Sequence, residues 1–285
     1  QERFTLNVNY FHVVFTIPNE LNILCLMDPK FMYKALFDVS AETIKELSKD
    51  KKYLGAKIGF TSVLHTWGQN LSLHPHIHMI VPGGGIDSNG KWKNSKKKFF
   101  LPVKVVSKLF KGKFLSYTKK NFDQRKIKDE EQFQNIINTC YSKDWVVYTK
   151  KPMKSAKHVV KYLGRYTHRI AISNARIKKY EDNKVTFSYK DYSDHNQIKE
   201  MTLDDTEFFR RYMMHVLPPN FMKIRHYGFL GNRNKEERIK AVRTATNTKN
   251  PGPLLIDYEQ IISDILKRDV SICIKCGQKR HYQLE

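Results

Sequence analysis

The amino-acid sequence predicts an α+β fold in which helices flank a central antiparallel sheet. Three observations carry that prediction. Tyr10 to Ile17, Lys57 to Trp67 and His76 to Val81 are apolar, aromatic and β-branched runs of strand length. The GQNLSL segment between the second and third runs is short enough to join them as an antiparallel hairpin. Helical patterns fall between the strands without the regular alternation of a doubly wound parallel sheet.

The elements follow in order. Pro18 ends the first strand, and Pro29 opens a helix through Leu36 and Phe37, with a second helical stretch from Ser40 to about Ser48. After the hairpin, the glycines of PGGG halt the chain, and residues 86 to 100 form a polar, lysine-rich excursion turning at Asn89-Gly90. Pro102 to Lys119 and Asp129 to Cys140 carry helical spacing, and Trp145 to Tyr148 is a short strand. Ser155 caps a helix running to Tyr166; Arg169 to Ile172 and Lys184 to Tyr189 read as strands, and Asp205 to Val216 as a helix stopped by Pro218-Pro219. From Asn232 a basic helix, a Pro-Gly linker and a final amphipathic segment through Tyr258, Ile262 and Ile265 complete the chain. The expected division is a core over residues 1–190, with a lysine-rich insertion near 86–135, and a basic, mostly helical accessory region over 191–285.

Composition points to an anionic partner. The 285 residues carry 51 Lys and Arg against 28 Asp and Glu, a formal net charge of +23. Confining that excess in one compact particle is costly unless something negative neutralises it, and nucleic acid is the first candidate. With 40 % hydrophobic residues, 17 Phe and 15 Tyr, the chain has ample material for a core. Its 4 cysteines do not make a disulfide scaffold, which favours a reducing compartment. Neither a secretory leader nor a long uncharged apolar run is present, so no membrane partner is expected.

Two constellations carry chemistry. In LSLHPHIHMIVPGGG, His76 and His78 point to one face of a strand while Ile77 and Met79 point to the other. Two imidazoles on a rigid backbone make part of a divalent-metal site. The third ligand falls to His65 if the hairpin register brings it alongside, with Gln69 and His74 as alternatives from the turn. Mg²⁺ or Mn²⁺ at such a site suits Lewis-acid work on a phosphate. In KHVVKYLGRYTHRIAIS, Tyr162 and Tyr166 stand four residues apart, on one helix face. Phenolates can attack phosphorus and hold DNA covalently, and Arg165, His168 and Arg169 surround them with positive charge. Further on, FMKIRHYGFLGN offers Lys223 and Arg225 for phosphates, and His226 and Tyr227 for orienting or stacking an unpaired base.

Together these segments resemble the HUH-type rolling-circle transposases, the insertion-sequence family with two catalytic tyrosines and no helicase domain. The resemblance runs from YFHVVFTIP through LHTWGQNLSLHPHIHMIVPGGG, WVVYTKKP, KYLGRYTHRIAISNARI and VTFSYKDY to HVLPPNFMKIRHYGFLGNRN. It implies the HUH nuclease fold, metal held by the histidine pair, and Tyr162 and Tyr166 as nucleophiles that cut single-stranded DNA at element ends and target through 5′-phosphotyrosine intermediates. It also implies a cytoplasmic, nucleoid-associated protein of a prokaryote. The family's cysteine-rich zinc-binding region before the equivalent of Tyr10 is not in this sequence, and the terminal CIKCG supplies only Cys273 and Cys276, half of a tetrahedral Zn²⁺ site. A replication-initiation nuclease or relaxase with the same chemistry, and a domesticated DNA-binding protein without it, are the competing readings.

Overall fold

The computed structural model describes residues 6–95, 100–127, 129–153, 164, 171–249, 258–274 and 276–279. It contains two compact units, Gln1–Thr248 and Lys249–Glu285. Described elements of the first, in chain order, are strand β1 (Tyr10–Thr16), helices α1 (Asn22–Met27) and α2 (Pro29–Lys49), strands β2 (Phe60–Trp67), β3 (Leu73–Pro82), β4 (Gly84–Ile86) and β5 (Trp92–Asn94), helices α3 (Val103–Asn121) and α4 (Glu130–Ser142), strands β6 (Val147–Met153), β7 (Ile177–Glu181), β8 (Lys184–Asp191) and β9 (Gln197–Asp204), helix α5 (Asp205–Met213), strand β10 (Ile224–Tyr227) and helix α6 (Lys235–Ala245). The second unit holds helix α7 (Tyr258–Leu266). Mixed α+β architecture is thus observed as expected.

The main sheet has the order β10-β2-β3-β1-β6, with every neighbouring pair antiparallel. Alternation along its strands divides its two faces. Phe11, Val13 and Phe15 of β1, Leu64 of β2, and Ile77, Met79 and Val81 of β3 are buried in one apolar cluster with Leu36, Phe37 and Ile44 of α2 and Phe110 and Phe114 of α3. Rings interlock there: Phe15 meets Phe110 edge-on at 4.9 Å. Full burial of each such side chain contributes roughly 1.5–3 kcal/mol, so this face anchors the sheet and the opposite face is available for chemistry.

Helix α2 corrects one expectation. Two helical stretches meeting near Ser40 are in fact one helix of 21 residues. Its start is as read, with Pro29 in the first turn and the Asp28 carboxylate accepting a hydrogen bond from the Phe31 amide at 3.0 Å. Ser40 does not begin a new helix because its hydroxyl donates back to the Phe37 carbonyl at 3.1 Å, satisfied within the helix it was expected to interrupt. The lysine-rich excursion also contains more order than expected: β4 and β5 pair across it, turning at Gly90 with φ +75°.

A smaller sheet, β7-β8-β9, packs with α5 around Leu71, Val185, Phe187 and Phe208, with Trp67 and Tyr212 at its margin. It is tied to the β2–β3 turn, where Arg176 donates to the Gln69 carbonyl and Arg211 donates to the Asn70 carbonyl at 3.3 Å. Strand β8 matches the expected run from Lys184 to Tyr189, whereas β7 and β9 lie beyond the expected strands. The expected helix from Ser155 to Tyr166 lies outside the described residues except for Gly164, which is helical. Where β10 leaves the sheet, Gly228 has φ +60°, and a Cβ there would fall 1.8 Å from the Ile58 carbonyl oxygen, so only glycine fits.

Candidate functional site

The register of the main sheet assembles the site. His65 stands opposite His76, which stands opposite Thr16; one step along, Val63, His78 and Val14 are aligned; one step further, Thr61, Ile80 and His12. All four histidines therefore project from the face turned away from α2 and α3. Ligand nitrogens of His65, His76 and His78 lie within 4.8 Å of one another. His65 and His78 are buried and His76 is half-buried.

Neighbouring groups orient these rings. The Nδ1–H of His76 donates to the His74 carbonyl at 2.6 Å, which leaves the lone pair on Nε2. Nδ1 of His78 is 2.8 Å from Nε2 of His12, whose ring stacks on that of His78 at 5.0 Å and 14°. Trp67 stacks on His65 with centroids 4.5 Å apart, a contact made at the irregularity in pairing between His65 and Trp67. Such outer contacts fix tautomer and ring direction in metal-binding histidines. Burial pushes the His76 pKa down to about 4, against the opposing effect of its bond to the His74 carbonyl, so this imidazole is neutral at neutral pH. Three nitrogen donors on one rigid face, two of them with their second nitrogen engaged, fit a divalent cation.

Of the alternatives for third ligand, His74 is not in the three-donor group, although its ring centroid lies 5.2 Å from that of His76. Gln69 is in the turn, its side-chain amide 3.4 Å from the Tyr192 hydroxyl. His74 is exposed at the surface, and desolvation lowers its pKa. Lys223 and His226 are brought to the neighbourhood. Lys223 Nζ lies 5.0 Å over the Trp67 ring, and its pKa is lowered by burial. His226 pairs opposite Thr61 on the histidine face and meets the Thr61 hydroxyl at 2.9 Å. Arg225, one residue away, takes the other face. Its guanidinium lies 4.3 Å over Phe37 and donates to Asp38 at 3.3 Å. Tyr227 shares that face, stacked on Phe60 at 4.9 Å, with its phenol pushed up to about 12 by burial.

Tyr162, Arg165, Tyr166, His168 and Arg169 lie outside the described residues. Cys273 and Cys276 belong to the second unit, where the Gly277 amide donates to the Cys273 carbonyl at 2.8 Å in a tight turn. Among the described residues no further pair of donors joins them in a metal-binding group. His12 was not singled out from the sequence. Its signal was present, as the polar position alternating with Phe11, Val13 and Phe15 in a strand whose other face is core.

Comparison with known proteins gives the family of the chain. Residues 59–238 match the family model Y2_Tnp, described as "Putative transposase". The chain is 39 % identical to "Putative transposase y4qJ" of Sinorhizobium fredii (strain NBRC 101917 / NGR234), over 98 % of this chain and 74 % of that protein. It is 29 % identical to "Transposase for insertion sequence element IS801" of Pseudomonas savastanoi pv. phaseolicola, over 95 % of this chain and 66 % of that protein. No solved structure matches. Since the family match alone runs from the start of the histidine hairpin into α6 and covers more than half of the sequence, the chain belongs to the Y2_Tnp family of rolling-circle insertion-sequence transposases.

Proposed function

We propose that this protein nicks and rejoins single-stranded DNA at element ends and target, using Tyr162 and Tyr166 as nucleophiles beside a divalent-cation site at His65, His76 and His78. The observation that carries the reading is the convergence of the three histidines on one sheet face in a chain whose relatives are named transposases. Mg²⁺ or Mn²⁺ held there supplies Lewis-acid polarisation of a phosphate oxygen.

The chain's own residues do the rest. Burial keeps His76 neutral, and the His74 carbonyl directs its free lone pair. One tyrosine oxygen bonds to phosphorus as the bond from phosphorus to the 3′ oxygen breaks; the phenol gives up its proton and the departing 3′ oxygen gains one. The products are a 5′-phosphotyrosine and a 3′-hydroxyl, and attack by a 3′-hydroxyl on the tyrosine linkage rejoins the strand. The second tyrosine permits a second covalent attachment in the same site. Arg165, His168 and Arg169 with Lys223 supply the phosphate contacts and His226 orients an unpaired base, within a chain of net charge +23. No described helix is long and apolar enough to cross a membrane.

Incubation with single-stranded oligonucleotides carrying element ends, with and without Mn²⁺, followed by denaturing electrophoresis, tests the reading. A protein-DNA adduct that EDTA suppresses is expected. Retention of DNA with no adduct in any metal would instead identify a DNA-binding protein without strand-cutting activity.

A further inference from the structure

Strand β10 covers only part of β2. It pairs with Phe60 to Val63, and the Lys223 carbonyl accepts one more bond, from the Leu64 amide at 3.0 Å. Beyond that point the edge of β2 runs on through His65 to Trp67, and a cavity of about 200 Å³ lies along it, lined by Leu64, Thr66 and Trp67 of that edge. Tyr212 and Leu217 form further walls, and Lys223 lines it with a cation.

These walls suit a flat ring attached to an anion. An apolar cavity of roughly 150 Å³ takes up benzene, so this one has room for the six-membered ring of a pyrimidine. His215 contributes a fixed wall: its Nε2–H donates to the Leu71 carbonyl at 3.1 Å and its Nδ1 accepts from the Thr66 hydroxyl at 3.3 Å. Tyr212 offers its ring, and Trp67, whose faces already meet His65 and Lys223, offers its edge, contacts that any base satisfies. Trp67 also joins the cavity to the metal-binding cluster, since His65 stacks on it at 4.5 Å.

We infer that this cavity receives one unpaired nucleobase of the DNA strand, with Lys223 beside it meeting the attached phosphate. Seated there, the base holds its strand against the edge that carries His65. The inference rests on the single-stranded-DNA reading and names the subsite through which that strand is positioned.

The test uses the full chain in EDTA, so that only binding is read. Fluorescence anisotropy compares labelled dT12 with a 12-mer of abasic tetrahydrofuran residues, for wild type and Val216→Trp. Val216 lines the cavity and is 59 % exposed, so a larger ring there occupies the cavity from its solvent side. Wild type should prefer the oligonucleotide with bases, and Val216→Trp should lose about 5- to 150-fold of that preference, the stacking of one base. A 4-thiothymidine oligonucleotide should crosslink wild type at Trp67 or Tyr212. A preference unchanged in Val216→Trp, or crosslinks confined to residues outside the cavity, overturns the inference. Failure of wild type to bind either oligonucleotide defeats the single-strand reading itself, whereas equal binding to both defeats only the base pocket.

Discussion

Replacing His12 by Phe keeps an aromatic ring in a buried strand position and removes the nitrogen that stands 2.8 Å from His78 Nδ1. Both rings are almost inaccessible, His12 at 5 % and His78 at 8 % exposure, so water does not readily take over the lost contact. Loss of a buried polar partner costs about 1–3 kcal/mol of folding stability. Loss of the outer partner of a metal-binding histidine lowers metal affinity about 10- to 100-fold, or roughly 1.4–2.7 kcal/mol. Isothermal titration with Mn²⁺, next to thermal unfolding of the metal-free protein, measures both. His12→Gln, which retains a polar terminus in the same strand, should recover part of the affinity. A folded His12→Phe protein that binds Mn²⁺ within twofold of wild type would refute the argument that His12 directs His78.

Further outcomes follow from the same geometry. His65→Ala should abolish Mn²⁺ binding while Gln69→Ala leaves it within twofold, and the reverse pattern in the same titration would move the third ligand to the turn. Arg225→Ala should lower stability by about 1–2 kcal/mol, through its ring contacts and its partly exposed pair with Asp38. In anisotropy titrations it should also weaken single-stranded DNA less than Lys223→Met does; equal losses would place Arg225 on the DNA. Burial holds His215 below the ordinary imidazole pKa, partly offset by its bond to the Leu71 carbonyl. Its folded value thus lies below an unfolded value of about 6.5, and stability is complete above that pH and falls as acid is added, because the unfolded chain takes up the proton. Melting of metal-free protein between pH 8 and 5 should show the decline, and His215→Gln should make it shallower while His74, His76 and His226, lowered in the same direction, keep their share; an equally steep profile in the variant would count against this source.

Much of the site was readable because it depends on local rules. Strand alternation alone put His76 and His78 on one face, with Ile77 and Met79 in the core, and the short turn brought His65 opposite His76. What escaped depends on pairings distant in sequence. His12 meets His78 across 66 positions, and its role appears only once β1 lies beside β3. Likewise, Lys223, Arg225 and His226 read as one basic run, yet the register of β10 on β2 sends Arg225 to Asp38 and His226 to Thr61 on opposite faces. Strands β7 and β9 have no buried residue, β7 being exposed throughout, so they are held by pairing to β8 rather than by a hydrophobic pattern visible in sequence.

The central claim is covalent catalysis by Tyr162 and Tyr166, and the most direct measurement identifies the residue that carries the DNA. Adduct formed in Mn²⁺ on a 3′-labelled single strand would be trimmed with nuclease, digested with protease and mapped by tandem mass spectrometry, with the Tyr162→Phe plus Tyr166→Phe protein in parallel. The nucleotide should be found on Tyr162 or Tyr166, and no adduct should form in the double variant. Attachment at another residue, or an undiminished adduct in the double variant, would contradict the account.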